Sequence, residues 1–319
     1  MLLQLLATAA AAAANASQPL VLDLKQISAH VYDGHGGLAD AGSSRLLMDY
    51  VEPQRSQILD YLFKPNWGAS LHMLKVEIAG DTQSTDGTGP SHLHHRHDSG
   101  GCHRGNAAWL IREAKARNPD IATYGLPWGM PAWVGGGDYW SADSIHYFVT
   151  WLECMRSAAN GTIVDYLGLW NEPHWRGDTW GGANYTKALR KALDGAGFGA
   201  TQIVAFDDAP QMSGAGGLDP SLLAAWATDA EFRAAVKALG YHYCCANFGE
   251  PGYQALAEYK PDIKVWQSED HSNGWATTLI SDFVGMNQTA AIAWALIWSA
   301  PYPDFVDGGS GIFFAFEPW

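Results

Sequence analysis

The spacing of short apolar runs limits the fold of this chain more than any other feature. Eight such runs alternate with segments whose apolar residues recur at helical spacing. The predicted strands cover residues 27–32, 70–80, 121–128, 166–170, 202–208, 240–243, 264–269 and 290–298. Between them, helices are predicted over 44–63 (broken at Pro53), 107–117, 145–158, 184–193 and 222–238. Short apolar runs bounded by polar or breaking residues are the mark of strands buried on both faces, as in a parallel sheet. Eight of them with intervening helices predict an α/β fold, a (β/α)8 TIM barrel, and 319 residues suit one such domain. The glycine-rich stretch 33–37 is read as a turn after the first strand. It carries no Gly-Lys-Ser/Thr and no dinucleotide fingerprint, so it is not a phosphate loop.

Two strand ends carry the chemistry. The fourth run stops at Trp170-Asn171-Glu172-Pro173, where Pro173 cannot extend a ladder. The seventh stops at Gln267-Ser268-Glu269-Asp270. Glu172 could be a plain helix cap, but glutamate caps poorly. The carboxyl ends of barrel strands are where catalytic groups sit. A carboxylate on each of strands four and seven is the equipment of a retaining glycosidase, with the two groups about 5–5.5 Å apart. One of the two must then be ionised to attack, and the other must hold a proton, its pKa raised by burial and by the neighbouring carboxylate. His242 and Tyr243 end the sixth run, where they either flank the cleft or simply fill the core.

Composition narrows the ligand class. The chain has 15 tryptophans, and aromatic rings stack on the apolar faces of sugars. Trp128 opens one aromatic strand-end loop, Trp128-Gly129-Met130-Pro131-Ala132-Trp133. A net charge of −14 argues against nucleic acid as a partner. His92, His94, His95, His97 and His103 crowd one glycine-rich loop, read as mobile. No carboxylate–histidine pattern there fixes ligand geometry, so no metal and no cofactor are expected. Residues 1–17 read as a secretory signal peptide ahead of a catalytic domain over 18–319, and nothing later offers a transmembrane run. Asn15, Asn160, Asn184 and Asn287 lie in glycosylation sequons. The pairing of Cys102, Cys154, Cys244 and Cys245 is not readable.

Several segments resemble the galactosylceramidase family, glycoside hydrolase family 59. They include Glu52-Pro53-Gln54-Arg55-Ser56-Gln57-Ile58-Leu59-Asp60-Tyr61-Leu62-Phe63-Lys64-Pro65-Asn66, Leu74-Lys75-Val76-Glu77-Ile78, Ser84-Thr85-Asp86-Gly87-Thr88, Gly125-Leu126-Pro127-Trp128, Trp170-Asn171-Glu172 and Ser268-Glu269-Asp270. The resemblance runs from about Asp33 to Trp319. It implies that Glu172 is the acid/base, Glu269 the nucleophile and Asn171 the residue that holds the sugar 2-hydroxyl. Thr85 and Trp128 match galactose-contacting positions. It implies a galactosylceramide-type glycolipid substrate, a lipid-presenting activator protein as partner, and a lysosomal or secreted location. Members of that family continue beyond the barrel into a β-sandwich and a lectin-like domain that this sequence lacks. The alternatives are a barrel glycosidase for another β-linked glycan and a truncated, non-catalytic carbohydrate-binding paralogue.

Overall fold

The computed structural model describes residues 31–39, 42–84, 87–176, 180–209, 219–243, 251–271, 282–283, 287–299 and 313–315. The expected leader, Asn15, Thr85, Cys244 and Cys245 lie outside them.

In chain order the elements are β1 (Gly34–Ala39), α1 (Leu46–Asp49), α2 (Gln54–Phe63), β2 (Met73–Glu77), α3 (Ala107–Arg117), β3 (Ala122–Leu126), α4 (Ala142–Ala158), β4 (Tyr166–Gly168), α5 (Gly182–Gly195), β5 (Gln202–Asp208), α6 (Pro220–Thr228), α7 (Ala230–Ala235), β6 (Val236–His242), α8 (Pro251–Tyr259), β7 (Lys264–His271), β8 (Ala290–Trp294), β9 (Ile297–Ser299) and β10 (Phe313–Ala315). Strands β1 to β8 pair in sequence order, all parallel, and β8 closes on β1. The (β/α)8 barrel expected from the sequence is therefore present. β9 and β10 form a separate parallel pair.

The period-two alternation of strands sorts their side chains between two cores. In β2, Met73 joins Leu38, Tyr124, Val204, Ala238, Trp266 and Ile292 in one cluster within the barrel. Its neighbours Leu74 and Val76 face outward and pack with Leu110 and Ile111 of α3 and Phe148 and Trp151 of α4. Lys75 and Glu77, in register with Met73, are also buried. A lysine and a glutamate on that face mark where the interior stops being hydrocarbon.

Several predicted boundaries move. The first strand is the glycine-rich stretch itself rather than 27–32, of which residues 27–30 are not described. Glycine serves there because β2 comes very close: a Cβ at Gly36 would lie 2.7 Å from the Met73 carbonyl oxygen. The helix expected over 222–238 ends at Ala235, and Asp229 caps α7 by accepting from the Phe232 amide. Val236-Lys237-Ala238-Leu239 leaves the helix to pair with β5 and β7, so β6 starts earlier than expected. A short apolar run does not announce which of the two structures it will join. The eighth strand is also shorter than predicted and stops at Trp294.

The histidine loop is tied down at several points. His92 Nε2 meets Thr150 Oγ1 of α4 at 2.9 Å, and His94 Nδ1 meets Asp81 Oδ2 at 2.8 Å. Arg104 pairs with Asp98 at 2.6 Å, and a disulfide joins Cys102 to Cys154 in α4. His92 and His94 thus turn to separate partners instead of facing each other, and the loop is anchored to the barrel wall.

Candidate active site

Glu172 follows the short strand β4, and Glu269 lies near the carboxyl end of β7. Glu172 is held by its own backbone. Its amide donates to the Asp207 carbonyl at 3.0 Å, and the Asn171 amide donates to the Pro127 carbonyl at 2.9 Å. Glu172 takes a left-handed φ of 45°, as do Asp207 (46°) and Tyr243 (47°). Such backbone is uncommon outside glycine and persists where surrounding bonds over-determine it. Three strand ends that face one another share it here.

Glu269 is buried, and the Tyr243 hydroxyl donates to its Oε1 at 2.8 Å. Burial, then the Glu269 charge, push the Tyr243 phenol far above its ordinary pKa, so it stays a neutral donor. Lys75 Nζ sits 3.6 Å from Glu269 Oε2 and donates to the Ser268 carbonyl at 2.9 Å.

Between the two glutamates stands His242, fully buried. Its Nδ1 lies 3.0 Å from Glu172 Oε1 and 3.7 Å from Glu269 Oε2. Its Nε2 lies 3.3 Å from Asp207 Oδ1. Burial alone would push this imidazole down. The Glu269 charge and the hydrogen bonds to Asp207 and Glu172 outweigh that and the repulsion from Lys75, and hold it up at about 9. Asp207 is likewise wholly buried. Desolvation opposes its charge, but Lys75, His242 and the Tyr124 hydroxyl together keep it below the usual carboxylate range. The sequence led us to expect two carboxylates confronting each other; a cation stands between them.

Of the expected substrate contacts, Asn171 and Trp128 are placed and Thr85 lies outside the described residues. Asn171 Oδ1 is buried with no hydrogen-bond partner among the described residues. A buried acceptor left in this way is set to take a hydroxyl. Trp128 is half-buried at the mouth, its ring 5.6 Å from Lys75 Nζ. His242 and Tyr243, ambiguous in sequence, both belong to the site. Lys75, Asp207 and Tyr124 went unnoticed. A lysine inside Leu74-Lys75-Val76 and an acid ending the β5 run were the available signals.

Among the described residues, Glu172, His242 and Glu269 are the group that could hold a metal ion, with one atom of each within 4.8 Å of the others. Coordination would need the His242 Nδ1 lone pair, and that nitrogen faces two carboxylates as a donor. No described helix is long and apolar enough to cross a membrane.

Comparison with known proteins fits this geometry. Residues 32–319 match Glycosyl hydrolase family 59. The chain is 41% identical over 317 residues to a galactocerebrosidase of Salmo salar, covering 95% of this chain and 44% of that protein. It is 40% identical over 313 residues to the Homo sapiens galactocerebrosidase, covering 94% and 42%. The chain thus spans less than half the length of these relatives. Among solved structures, an endo-β1,6-glucanase superposes with a TM-score of 0.64 at 18% identity, covering 87% of this chain and 68% of that one. The catalytic domain of a GH30 xylanase C from Talaromyces cellulolyticus gives 0.62 at 17%, covering 84% and 69%. At such identities the likeness is one of fold.

Proposed function

Since the chain belongs to glycosyl hydrolase family 59, we propose that it is a retaining β-galactosidase acting on galactosylceramide-type glycolipids, with Glu269 as nucleophile and Glu172 as acid/base. The observation that carries this is the convergence of the two carboxylates. An oxygen of each lies within 4.8 Å of the other. Retaining enzymes place their carboxyl groups about 5–5.5 Å apart, whereas inverting ones leave about 6.5–9.5 Å for a water.

The steps follow from charge. Glu269 attacks the anomeric carbon as the bond to the leaving oxygen breaks, and Glu172 gives that oxygen its proton. Glycosylation neutralises Glu269. Glu172 then takes a proton from the water that displaces Glu269 and restores both groups. Tyr243 steadies Glu269 at Oε1 throughout. Asn171 receives the sugar 2-hydroxyl, while Trp128 and Thr85 contact galactose. The products are galactose and ceramide, and a lipid-presenting activator protein delivers the substrate.

A secretory route to a lysosomal or secreted location is part of the proposal. It is supported by the Cys102–Cys154 disulfide, which persists in oxidising compartments, and by the exposure of Asn160, Asn184 and Asn287. The test compares the protein with its Glu269→Gln variant on an aryl β-galactoside and on galactosylceramide, following the anomeric proton by NMR. Release of β-galactose first, and loss of at least about a hundredfold in the variant, are expected. Equal rates in the two proteins, or α-galactose first, would refute the assignment.

A further inference from the structure

Beneath the two glutamates lies a buried charged cluster that the double displacement leaves without a task. Asp207 has no exposed surface, yet its carboxylate is met by several donors. The Ser268 hydroxyl donates to Oδ1 at 2.8 Å, the Tyr124 hydroxyl donates to Oδ2, and Lys75 Nζ stands 3.5 Å from Oδ1. Space is made for it as well: a Cβ at Gly168, on the adjacent strand β4, would lie 2.5 Å from Oδ2. Left-handed backbone at Phe206 and Asp207 and a register shift between β5 and β6 aim the carboxylate inward. So many devices around one acid that meets no sugar point to a task performed through its neighbour.

That neighbour is His242. Carboxylates face both ring nitrogens, Asp207 at Nε2 and Glu172 at Nδ1. Asp207 is held ionised and can only accept, so Nε2 donates to it; Glu172 Oε1 accepts from Nδ1 when the proton of Glu172 rests on Oε2, and the ring is then an imidazolium. Lys75 Nζ is also 3.5 Å from Nε2, but it already donates to the Ser268 carbonyl, and the Asp207 contact is shorter. The groups facing the ring from the surrounding strands are Lys75 of β2, Glu172 after β4, Asp207 and Asp208 of β5, and Glu269 of β7. Tyr124 of β3 and Tyr243 after β6 are neutral phenols turned onto Asp207 and Glu269. The rise of the His242 pKa to about 9 agrees with this geometry.

We propose that Asp207 and His242 are positioning residues for the acid step: Asp207 fixes the imidazolium, whose Nδ1–H occupies Glu172 Oε1 and so confines the transferable proton of Glu172 to Oε2. A carboxylic acid has two oxygens on which its proton can rest, and only one can face the leaving group. The Nδ1–H donor disfavours a proton on Oε1 and pins the carboxyl plane. On leaving, the proton passes from Glu172 Oε2 to the glycosidic oxygen, and the resulting carboxylate keeps the Nδ1–H bond. His242 gains and loses no proton in the cycle.

The assignment rests on Glu172 being the acid, and leaving groups of different basicity make it testable. A phenolate leaving group needs protonation, whereas 2,4-dinitrophenolate departs without it. The values of kcat/KM, which report the glycosylation step, are measured for Asp207→Asn on phenyl and 2,4-dinitrophenyl β-galactosides. General acid catalysis is worth roughly 10²–10⁴-fold, so the dinitrophenyl-to-phenyl ratio should rise at least about tenfold over the unsubstituted protein. A smaller rise means that Asp207 only supports the fold, and it overturns the inference. His242→Gln removes the imidazolium and keeps the Lys75–Asp207 pair. It should raise the same ratio by the same criterion, and it decides the matter if Asp207→Asn does not fold. Failure of the underlying β-galactosidase assignment looks different: the unsubstituted protein would match Glu269→Gln on both substrates.

Discussion

Replacing Lys75 by methionine tests whether the cluster under the active site is dry. Methionine is unbranched and of similar length, so the change removes charge and leaves little cavity. At an effective dielectric of about 20, unit charges 3.5 Å apart interact by about 5 kcal/mol. Lys75 meets two attractions of that size, from Asp207 at 3.5 Å and Glu269 at 3.6 Å. His242, at 3.5 Å, opposes it with one comparable repulsion. About 5 kcal/mol of net attraction remains. Recovering the desolvation of the ammonium offsets part of it, while the Ser268 carbonyl also loses its donor. The expected loss is about 3 kcal/mol, at the lower edge of what breaking a buried pair costs. With a urea m-value of about 3 kcal/mol/M, the unfolding midpoint should fall by about 1 M with an unchanged slope. A loss below about 1 kcal/mol would refute the reasoning, because only water reaching the cluster could screen the charges that well. Combining Lys75→Met with Asp207→Asn should cost less than the sum of the two, since each removes the other's partner.

Other expectations concern pH and the disulfide. His242 has a raised folded-state pKa, so its contribution is complete below the unfolded value of about 6.5 and is lost as pH rises through about 9. Stability should therefore decline by about 3 kcal/mol between those limits, and His242→Gln should flatten the decline; a curve of the same slope in the variant would assign the loss elsewhere. The Asp207 carboxyl, held low, contributes above its unfolded pKa and loses that contribution only in acid. The Cys102–Cys154 bond spans a sequence separation of 52 residues. In the chain-entropy model that closure is worth about 4 kcal/mol. A Cys102→Ala/Cys154→Ala double variant should show most of that loss in denaturant unfolding while keeping its kcat/KM on an aryl β-galactoside, because the bond ties the histidine loop to α4 away from the glutamates. A loss under about 1 kcal/mol would show that the Arg104–Asp98 and His94–Asp81 pairs already hold the loop.

What the sequence disclosed follows the range of each interaction. Glu172 and Glu269 were legible because a buried strand is a local pattern, and an acid at its polar end stands out within ten residues. The Lys75–Asp207–His242 cluster was not, since barrel closure brings together groups 167 and 35 positions apart. Lys75 in particular looks like one polar position in an alternating strand until the register places it inside. The histidine loop misled in the opposite direction. Its glycine-rich setting suggested a mobile segment, yet His92 reaches 58 residues to Thr150, and His94 pairs with Asp81. The glycines of β1 read as a turn because no local rule reports that the adjacent strand will come within contact of Gly36.

The amide bonds at the barrel mouth carry a consequence for how such a site can change. Asn171 is hung from Pro127, Glu172 from Asp207, and Tyr243 from Glu269, each through a main-chain hydrogen bond to the end of an adjacent strand. Because these links run through backbone, a side-chain substitution leaves the main-chain positions of these residues tied together. Shifting Glu172 drags Asp207, and shifting Tyr243 drags Glu269. The backbones of Glu172, Asp207, Tyr243 and Glu269 are therefore inherited together, as a fixed tool-head. Evolution, or an engineer, must redirect it by rewriting the loops that present the sugar rather than by moving its parts.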